Sequence, residues 1–303
     1  MNHLPTIKQL RYFVNLVQHE HFGRAAEASY VSQSAFSVAI KELEALIGLQ
    51  LVDRTNKQVT VTEAGREFAS GARRILEQLE ELVTAAQGQA TPLGGKLKLG
   101  VIPTIAPFLV PGLLQGMRRD YPQLKLYLVE DLTQRLYERL MLGEIDLILL
   151  ALPYDMRGVE VLSLFEDHFL LAHREQSHWI ENEKTDPELL ESDAVLLLED
   201  GHCLRDHAIA ACKLKQGGKV SQFSASSLFT LVQMVDEDLG ITYLPEMALD
   251  SPLLTDTHII TRPMPDDSYR EIGLAWRQGS ARAPEFRLLG EYLTALPPSP
   301  TMP

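Results

Sequence analysis

The chain has 303 residues, 45% of them apolar and 23% charged, with a formal net charge of -13. That composition excludes wholesale disorder and leaves room for two or three domains, while the acidity, taken alone, argues against nucleic acid as a partner. Only two cysteines are present, Cys203 and Cys212, which excludes a secreted disulfide scaffold and a four-cysteine zinc site.

The first eight residues, Met-Asn-His-Leu-Pro-Thr-Ile-Lys, lack a basic segment leading into an apolar core. No signal peptide is therefore read, and a cytoplasmic protein is expected. From Ile7 to His19, Leu10, Phe13, Val14 and Val17 fall on one helical face. A second short helix fits Phe22 to Ser29, with Ala25, Ala26 and Ala28 where two helices can approach closely. Ser32 is a good N-cap for a third helix, in which Phe36, Ile40, Leu43 and Ile47 recur at spacings of 4, 3 and 4. Only Tyr30 and Val31 separate the second helix from that cap, and the pattern is that of a helix-turn-helix.

On such a module the exposed start of the third helix enters the major groove. Gln33, Ser34 and Ser37 are candidates for base edges, and Ser32, Lys41 and Arg54 for phosphates, with Phe36 on the same interface. Patterning alone leaves a protein-binding three-helix module open. Two β-prone runs flank Thr55-Asn56-Lys57, predicting a hairpin or wing. Thr62 then caps a long helix in which Phe68, Ala72, Ile75, Leu79, Leu82 and Ala86 form a heptad seam. A helix over 62–89 spans about 42 Å. The seam is better explained by a two-stranded coiled coil between copies than by an amphipathic helix packed on its own domain, because a lone winged module offers little surface to cover so long a stripe.

Residues 1–90 hold 9 Lys+Arg and 10 Asp+Glu, a net of -1, so -12 of the charge lies beyond them. A near-neutral module is joined to a strongly acidic one, as expected of two parts that meet different partners. After the turn-rich linker at 91–95, strands fit Lys96–Ile102, Leu124–Glu130 and Ile145–Ala151, with helices at Ala106–Arg119 and Leu132–Leu142. That order predicts a parallel sheet with helices on its faces. The longest apolar run, 145–153, carries Asp146 and is too short to cross a bilayer. Further strands fit His168–His173, Ala194–Leu198, Lys219–Phe223 and Glu271–Trp276, with helices after Cys203 and from Ser226. There is no P-loop and no G-x-G-x-x-G, and the tail from Pro297 reads as disordered.

Cys203 lies in Glu199-Asp-Gly-His-Cys-Leu-Arg-Asp206, just past an apolar strand and at the start of a helix. His202, Arg205 and the helix N-terminus would each favour thiolate, the form that attacks a peroxide. Cys212 follows Ala208, Ala210 and Ala211, a quiet apolar neighbourhood. If 203–212 is helical, the two residues are about 13 Å apart along the axis and about half a turn around it. A disulfide needs Cα atoms roughly 4.4–6.8 Å apart, so closing one would require the helix to unwind. Two unrelated cysteines fit the same residues. His202, Cys203, His207 and Cys212 lack closely paired ligands, so no metal is expected, and nothing points to a cofactor.

Phe22-Gly-Arg-Ala-Ala-Glu27, Val31-Ser-Gln-Ser-Ala-Phe-Ser37 and Lys41-Glu-Leu-Glu44 resemble the helix-turn-helix of LysR-type transcriptional regulators. Leu198-Glu-Asp-Gly-His-Cys-Leu-Arg-Asp206, with Cys212 nine residues beyond Cys203, resembles the peroxide-sensing OxyR branch of that family. Val101-Ile-Pro-Thr104, Leu132-Thr133-Gln and Ile272-Gly-Leu-Ala-Trp-Arg277 are similar to segments of the same branch. The resemblance implies an N-terminal all-α winged helix-turn-helix with a long linker helix, followed by an α/β type 2 periplasmic-binding-protein-like sensor of two subdomains. The corresponding domains are 1–61, 62–90 and 91–303, with the first subdomain at about 95–165 and 269–297 and the second at about 166–268.

The resemblance further implies that Cys203 is the peroxidatic and Cys212 the resolving cysteine of a reversible disulfide. Thr104, Thr133, His202, Arg205, Asp206 and Arg270 would form the peroxide pocket. The implied partners are an operator in double-stranded DNA, further copies of the chain as a dimer of dimers, hydrogen peroxide, RNA polymerase, and a reductant such as glutaredoxin or thioredoxin. The implied targets are antioxidant genes. Two departures stand out. Gln222 and Ser224 flank Phe223 where the family commonly has His and Arg, and Asp236-Glu-Asp-Leu239 precedes Gly240 where small residues are usual. Those acids would oppose thiolate formation if close to Cys203. The rival readings are a LysR-type regulator of a small organic effector and, from another class, a thiol peroxidase.

Overall fold

The structure is a computed structural model that describes residues 4–55, 58–86, 92–180, 193–211 and 220–296. The chain forms two compact units, residues 1–91 with 141–144, and residues 92–140 with 145–303.

In the first unit, α1 (Ile7–His19) opens on a capping box: Gln9 N–H donates to Thr6 Oγ1 at 3.2 Å, and Thr6 N–H donates to Gln9 Oε1 at 2.9 Å. His21 caps α2 (Phe22–Ala28) by accepting the Gly23 and Arg24 amides on Nδ1. The turn to α3 (Gln33–Ile47) passes through Tyr30 at φ 55, and α3 starts at Ser32 and stops at Gly48, φ 76. Phe13, Leu16, Phe36, Ile40 and Leu43 close the core of these helices. The expected wing is the antiparallel pair β1 (Val52–Thr55) and β2 (Gln58–Val61). Thr62 Oγ1 caps α4 (Glu63–Ala86) by accepting from Gly65 N–H at 3.0 Å. A Cβ at Gly65 would stand 2.1 Å from the Leu51 carbonyl oxygen, so only glycine lets α4 start against the wing. Ile75 and Leu82 of the seam are exposed, as is Val83 beside them.

The second unit begins with β3 (Gly95–Val101), α5 (Ala106–Asp120), β4 (Leu124–Glu130), α6 (Thr133–Met141) and β5 (Leu147–Leu152), and β3 pairs in parallel with both β4 and β5. The sheet is nevertheless mixed. The late strand β11 (Tyr269–Arg277) lies antiparallel between β5 and β6. β6 runs from Val159 to Arg174, far longer than the predicted His168–His173. Its first half, Val159-Glu-Val-Leu-Ser-Leu-Phe-Glu166, is only partly buried, and its apolar residues are interrupted by Glu160 and Ser163, which hid it from a search for apolar runs. Its second half carries β9 (Thr242–Pro245) and β10 (Ile259–Pro263), neither foreseen, so β6 passes unbroken from one hydrophobic core to the other.

The second core is completed by the parallel pair β7 (Val195–Leu198) and β8 (Val220–Ala225), with α7 (Cys203–Ala211) between them in sequence and α8 (Leu228–Asp236) after them. The helix α9 (Ala283–Thr294), also unforeseen, covers the first core through Phe286, Leu289 and Leu293. The tail from Pro297 lies outside the described residues. Among those described, no helix is long and apolar enough to cross a membrane.

The acidic departure at 236–239 has a local role. Asp238, at φ 56 just past α8, accepts hydrogen bonds from Ser177 Oγ and from the amide and Nδ1 of His178, while Trp179 Nε1 donates to its carbonyl. Asp236 accepts from the His258 amide at 2.7 Å. Burial pushes the Asp238 carboxyl up, but the donors from Ser177 and His178 outweigh it and hold the group below the usual carboxylate range. Because the folded pKa is depressed, this stabilisation is complete above the ordinary carboxylate pKa and disappears as pH falls through the lowered value. Asp238→Asn is therefore expected to lower the melting temperature at pH 7 and to melt with the wild type at strongly acidic pH. A constant gap at all pH values would contradict it.

Candidate functional site

Two regions carry the predicted residues. On α3, Gln33, Ser34 and Lys41 are exposed and Ser37 is half-buried. Ser32 spends its hydroxyl on the cap, accepting from the Ala35 amide at 3.3 Å and lying 3.1 Å from Ser34 Oγ. Phe36 requires correction. It is fully buried, stacked on Tyr12 at 5.1 Å and edge-on to Phe22 at 6.1 Å, so it holds the helices together and offers nothing to DNA. Arg54 sits on β1 opposite Val59, with its side chain outside the described atoms. Tyr30, 95% exposed in the turn, was not singled out from sequence, and its left-handed backbone at φ 55 is what turns it outward.

The second region is built where the two cores of the second unit meet. Gly201, at φ 98, turns the chain sharply after β7, and α7 begins two residues later at Cys203. Cys203 is a free thiol, 7% exposed, whose side chain belongs to the first core, whereas Leu204 and Ala208 of the same helix belong to the second. The helix thus lies between the cores, fixed at its end by Ser268 Oγ donating to the Ala211 carbonyl at 3.3 Å. It is helical up to the residue before Cys212, which itself lies outside the described residues.

Thr133, at the start of α6, donates its hydroxyl to Cys203 Sγ at 3.6 Å. Arg270, at the start of β11, is buried and makes four contacts. Its Nε donates to Asp167 Oδ2 at 2.8 Å and its Nη1 to Thr104 Oγ1 at 3.0 Å. Its Nη2 donates to the Thr104 carbonyl at 2.9 Å and to Met247 Sδ at 3.5 Å. Asp167, the cross-strand neighbour of Arg270, accepts the Met247 amide on its other oxygen at 3.1 Å. Cys203, Thr133, Arg270 and Thr104 therefore converge, with Asp167 and Met247 as members the sequence did not disclose.

The electrostatics differ from expectation. Burial raises the Cys203 thiol above its ordinary pKa, against the lowering effects of the Thr133 hydroxyl and the Arg270 charge; Asp206 adds to the rise. Arg205 does not serve the sulfur: it donates to the Leu198 carbonyl at 3.1 Å and pairs with Asp200 at 3.0 Å. His202 is pushed toward its neutral form by burial, against Glu199 and a backbone bond at Ser226. Neither His202 nor Arg205 is among the groups that shift the Cys203 thiol. Asp236 and Asp238 are engaged at the far end of α8, so the acids suspected from sequence are not those that act on Cys203. No cluster of three or more potential metal ligands occurs among the described residues.

The Arg270–Asp167 pair is fully desolvated, and removing one partner strands the other's charge. Asp167→Asn or Arg270→Met alone is expected to cost about 3–5 kcal/mol in denaturant unfolding. The double variant Asp167→Leu with Arg270→Met should recover much of that loss. Single variants as stable as the wild type would contradict the network.

Comparison with known proteins places this geometry in a family. Residues 7–66 match the bacterial regulatory helix-turn-helix of the lysR family, and residues 90–297 match the LysR substrate binding domain. The HTH-type transcriptional regulator EstR of Acinetobacter baylyi is 36% identical over 292 residues, 96% of each chain. The DNA-binding transcriptional dual regulator OxyR of Escherichia coli is 35% identical over 289 residues, 95% of each chain. Among solved structures, a full-length OxyR of Pseudomonas aeruginosa carrying a cysteine-to-aspartate substitution superposes with a TM-score of 0.83 at 34% identity, covering 99% of this chain and 100% of that one. With both halves matched across nearly its whole length, this chain belongs to the LysR-type transcriptional regulators, in their OxyR branch.

Proposed function

We propose that this chain is a hydrogen-peroxide-responsive transcriptional regulator in which Cys203 is the thiol struck and Cys212 the thiol that resolves it. The observation that carries the reading is the buried free thiol of Cys203, at the start of a helix shared by two cores, with Thr133 donating to its sulfur. The Cys203 sulfur attacks one peroxide oxygen, the O–O bond breaks, and a sulfenic acid and one water result. The Cys212 sulfur then displaces the sulfenic oxygen as a second water, leaving a disulfide: two thiols give up two electrons to one peroxide.

Thr104, Thr133 and Arg270 line the reacting sulfur and the space beside it, Asp206 sets its charge balance, and His202 and Arg205 shape the start of the helix. The raised thiol pKa keeps Cys203 quiet in the resting state, and the Arg270 charge favours the thiolate as the proton leaves. A polar oxygen on a sulfur 7% exposed in an apolar core favours withdrawal of Cys203 from that core. α7 must unwind for the disulfide to close.

The DNA side of the switch rests on Gln33, Ser34, Ser37 and Lys41 in the major groove, with Arg54 on the wing toward phosphate. The exposed Ile75, Leu82 and Val83 on α4 support dimerisation through that helix, and two dimers on one operator complete the assembly. A cytoplasmic thiol reductant of the glutaredoxin or thioredoxin class resets the disulfide, and antioxidant genes are the targets. A second reading, a regulator of a small organic effector, draws on a pocket of about 280 Å³ against α5 and β4 lined by Val101, Pro107, Val110, Leu128 and Glu130, with Cys203 not in its lining.

One experiment separates the two readings. Stoichiometric peroxide should remove two thiols from the full-length protein and shift its footprint on promoter DNA. Cys203→Ser should bind DNA and show no shift. Undiminished thiols, or a normal shift in Cys203→Ser, would overturn the peroxide reading. Charged replacements at Ile75 and Leu82 should lower dimer content and operator affinity together, measured by sedimentation and titration; a dimer intact at micromolar concentration would remove α4 from the interface.

A further inference from the structure

On α7, His207 follows Cys203 by four residues, the spacing that puts two side chains side by side on one helical face. That face meets the segment after β5. The His207 Nε2 lies 3.3 Å from the Pro153 carbonyl oxygen, a contact that requires Nε2 to carry the proton and donate. Nδ1 is then a bare acceptor. It is buried and, among the described residues, has no hydrogen-bond partner. A buried acceptor without a donor is costly, and such groups concentrate where a proton must be received. The neighbouring Tyr154 packs against the core that holds Cys203: its hydroxyl is pushed up by burial and by the Cys203, Glu138 and Asp206 charges, and donates to Gln134 Oε1 at 3.0 Å. His207 and Cys203 therefore lie against one short stretch, Pro153 and Tyr154.

We propose that His207 is the base for the peroxide step, its Nδ1 taking the Cys203 thiol proton and returning it to the leaving oxygen. The inference rests on the peroxide reading above. It adds a proton acceptor to Arg270 and the Thr133 hydroxyl, which stabilise a thiolate. In the step, the S–H bond breaks and the proton moves to Nδ1. Sulfur bonds to the near peroxide oxygen, and the O–O pair goes to the far oxygen. That oxygen takes the proton from Nδ1 and leaves as water, so the imidazole ends as it began. Burial pushes His207 below the ordinary imidazole range, against the Pro153 carbonyl; Arg270 on β11 adds to burial and Asp206 on α7 opposes it. Nδ1 is consequently unprotonated, and able to act, at neutral pH.

The test uses full-length protein with Cys212→Ser, so that the sulfenic acid at Cys203 persists and can be trapped with a dione probe and quantified by mass. His207→Gln keeps a donor for the Pro153 carbonyl but cannot take up a proton. It should slow sulfenic acid formation by about 10²-fold near pH 7. It should also lose the fall in rate that the parent shows at acidic pH, where the imidazole is charged. At alkaline pH, where Cys203 ionises unaided, variant and parent should converge. Equal rates and superimposable pH profiles would overturn the role of His207 while leaving the peroxide reading intact. Absence of sulfenic acid in the parent itself would overturn both. A purely anchoring role for His207 predicts a slow His207→Ala and a normal His207→Gln, and that pattern too would overturn the proposal.

Discussion

A guanidinium and a carboxylate sit with no solvent exposure to speak of where β6 and β11 run side by side, and the sensor is organised around them. Arg270 and Asp167 are opposite one another in the ladder, and each is bonded to a segment outside it: Arg270 to Thr104 after β3, Asp167 to the Met247 amide after β9. Charges cannot be left unpaired at such depth, so the pair draws both loops to the same point. Its charge is then felt by Cys203, whose own position is set by α7.

α7 carries the second constraint. Its first side chain belongs to one core and its next to the other, so the helix couples the two. Oxidation of a side chain so placed has two consequences at once on the proposed chemistry. It makes an apolar position polar, and it asks a nine-residue helix, held at its end by Ser268, to give up its shape. On the proposed chemistry, burial keeps the thiol protonated at rest, and the Thr133 hydroxyl and the Arg270 charge favour the thiolate when peroxide enters.

The DNA-binding half was legible almost residue by residue, because capping side chains and helical periodicity are local signals. Ser32 and Thr62 mark helix starts that the structure places within a residue. Phe36 shows the limit: its place in a familiar motif suggested the interface, while its apolar spacing with Ile40 and Leu43 placed it correctly in the core. In the sensor, β3 to β5 were readable from their apolar runs. The first half of β6, and β9, β10 and α9, were not, because partly exposed strands and short connections carry weak patterns. Cys203 was legible from its setting after an apolar strand, and Thr133 and Arg270 were found through motif resemblance, whereas Asp167 and Met247 reach the site only through strand register and a distant loop. Arg205 was misread because adjacency in sequence to a helix-initial cysteine does not set the direction of a side chain.

Hydrogen exchange across α7 tests the coupling of thiol to helix most directly. With one equivalent of peroxide added to the full-length reduced protein, the amides of residues 204–211 should lose protection while those of β5 and β11 keep theirs. Restoration by a dithiol should follow. Loss of two thiols with α7 still fully protected would contradict the account, because the helix would then have kept its place between the two cores.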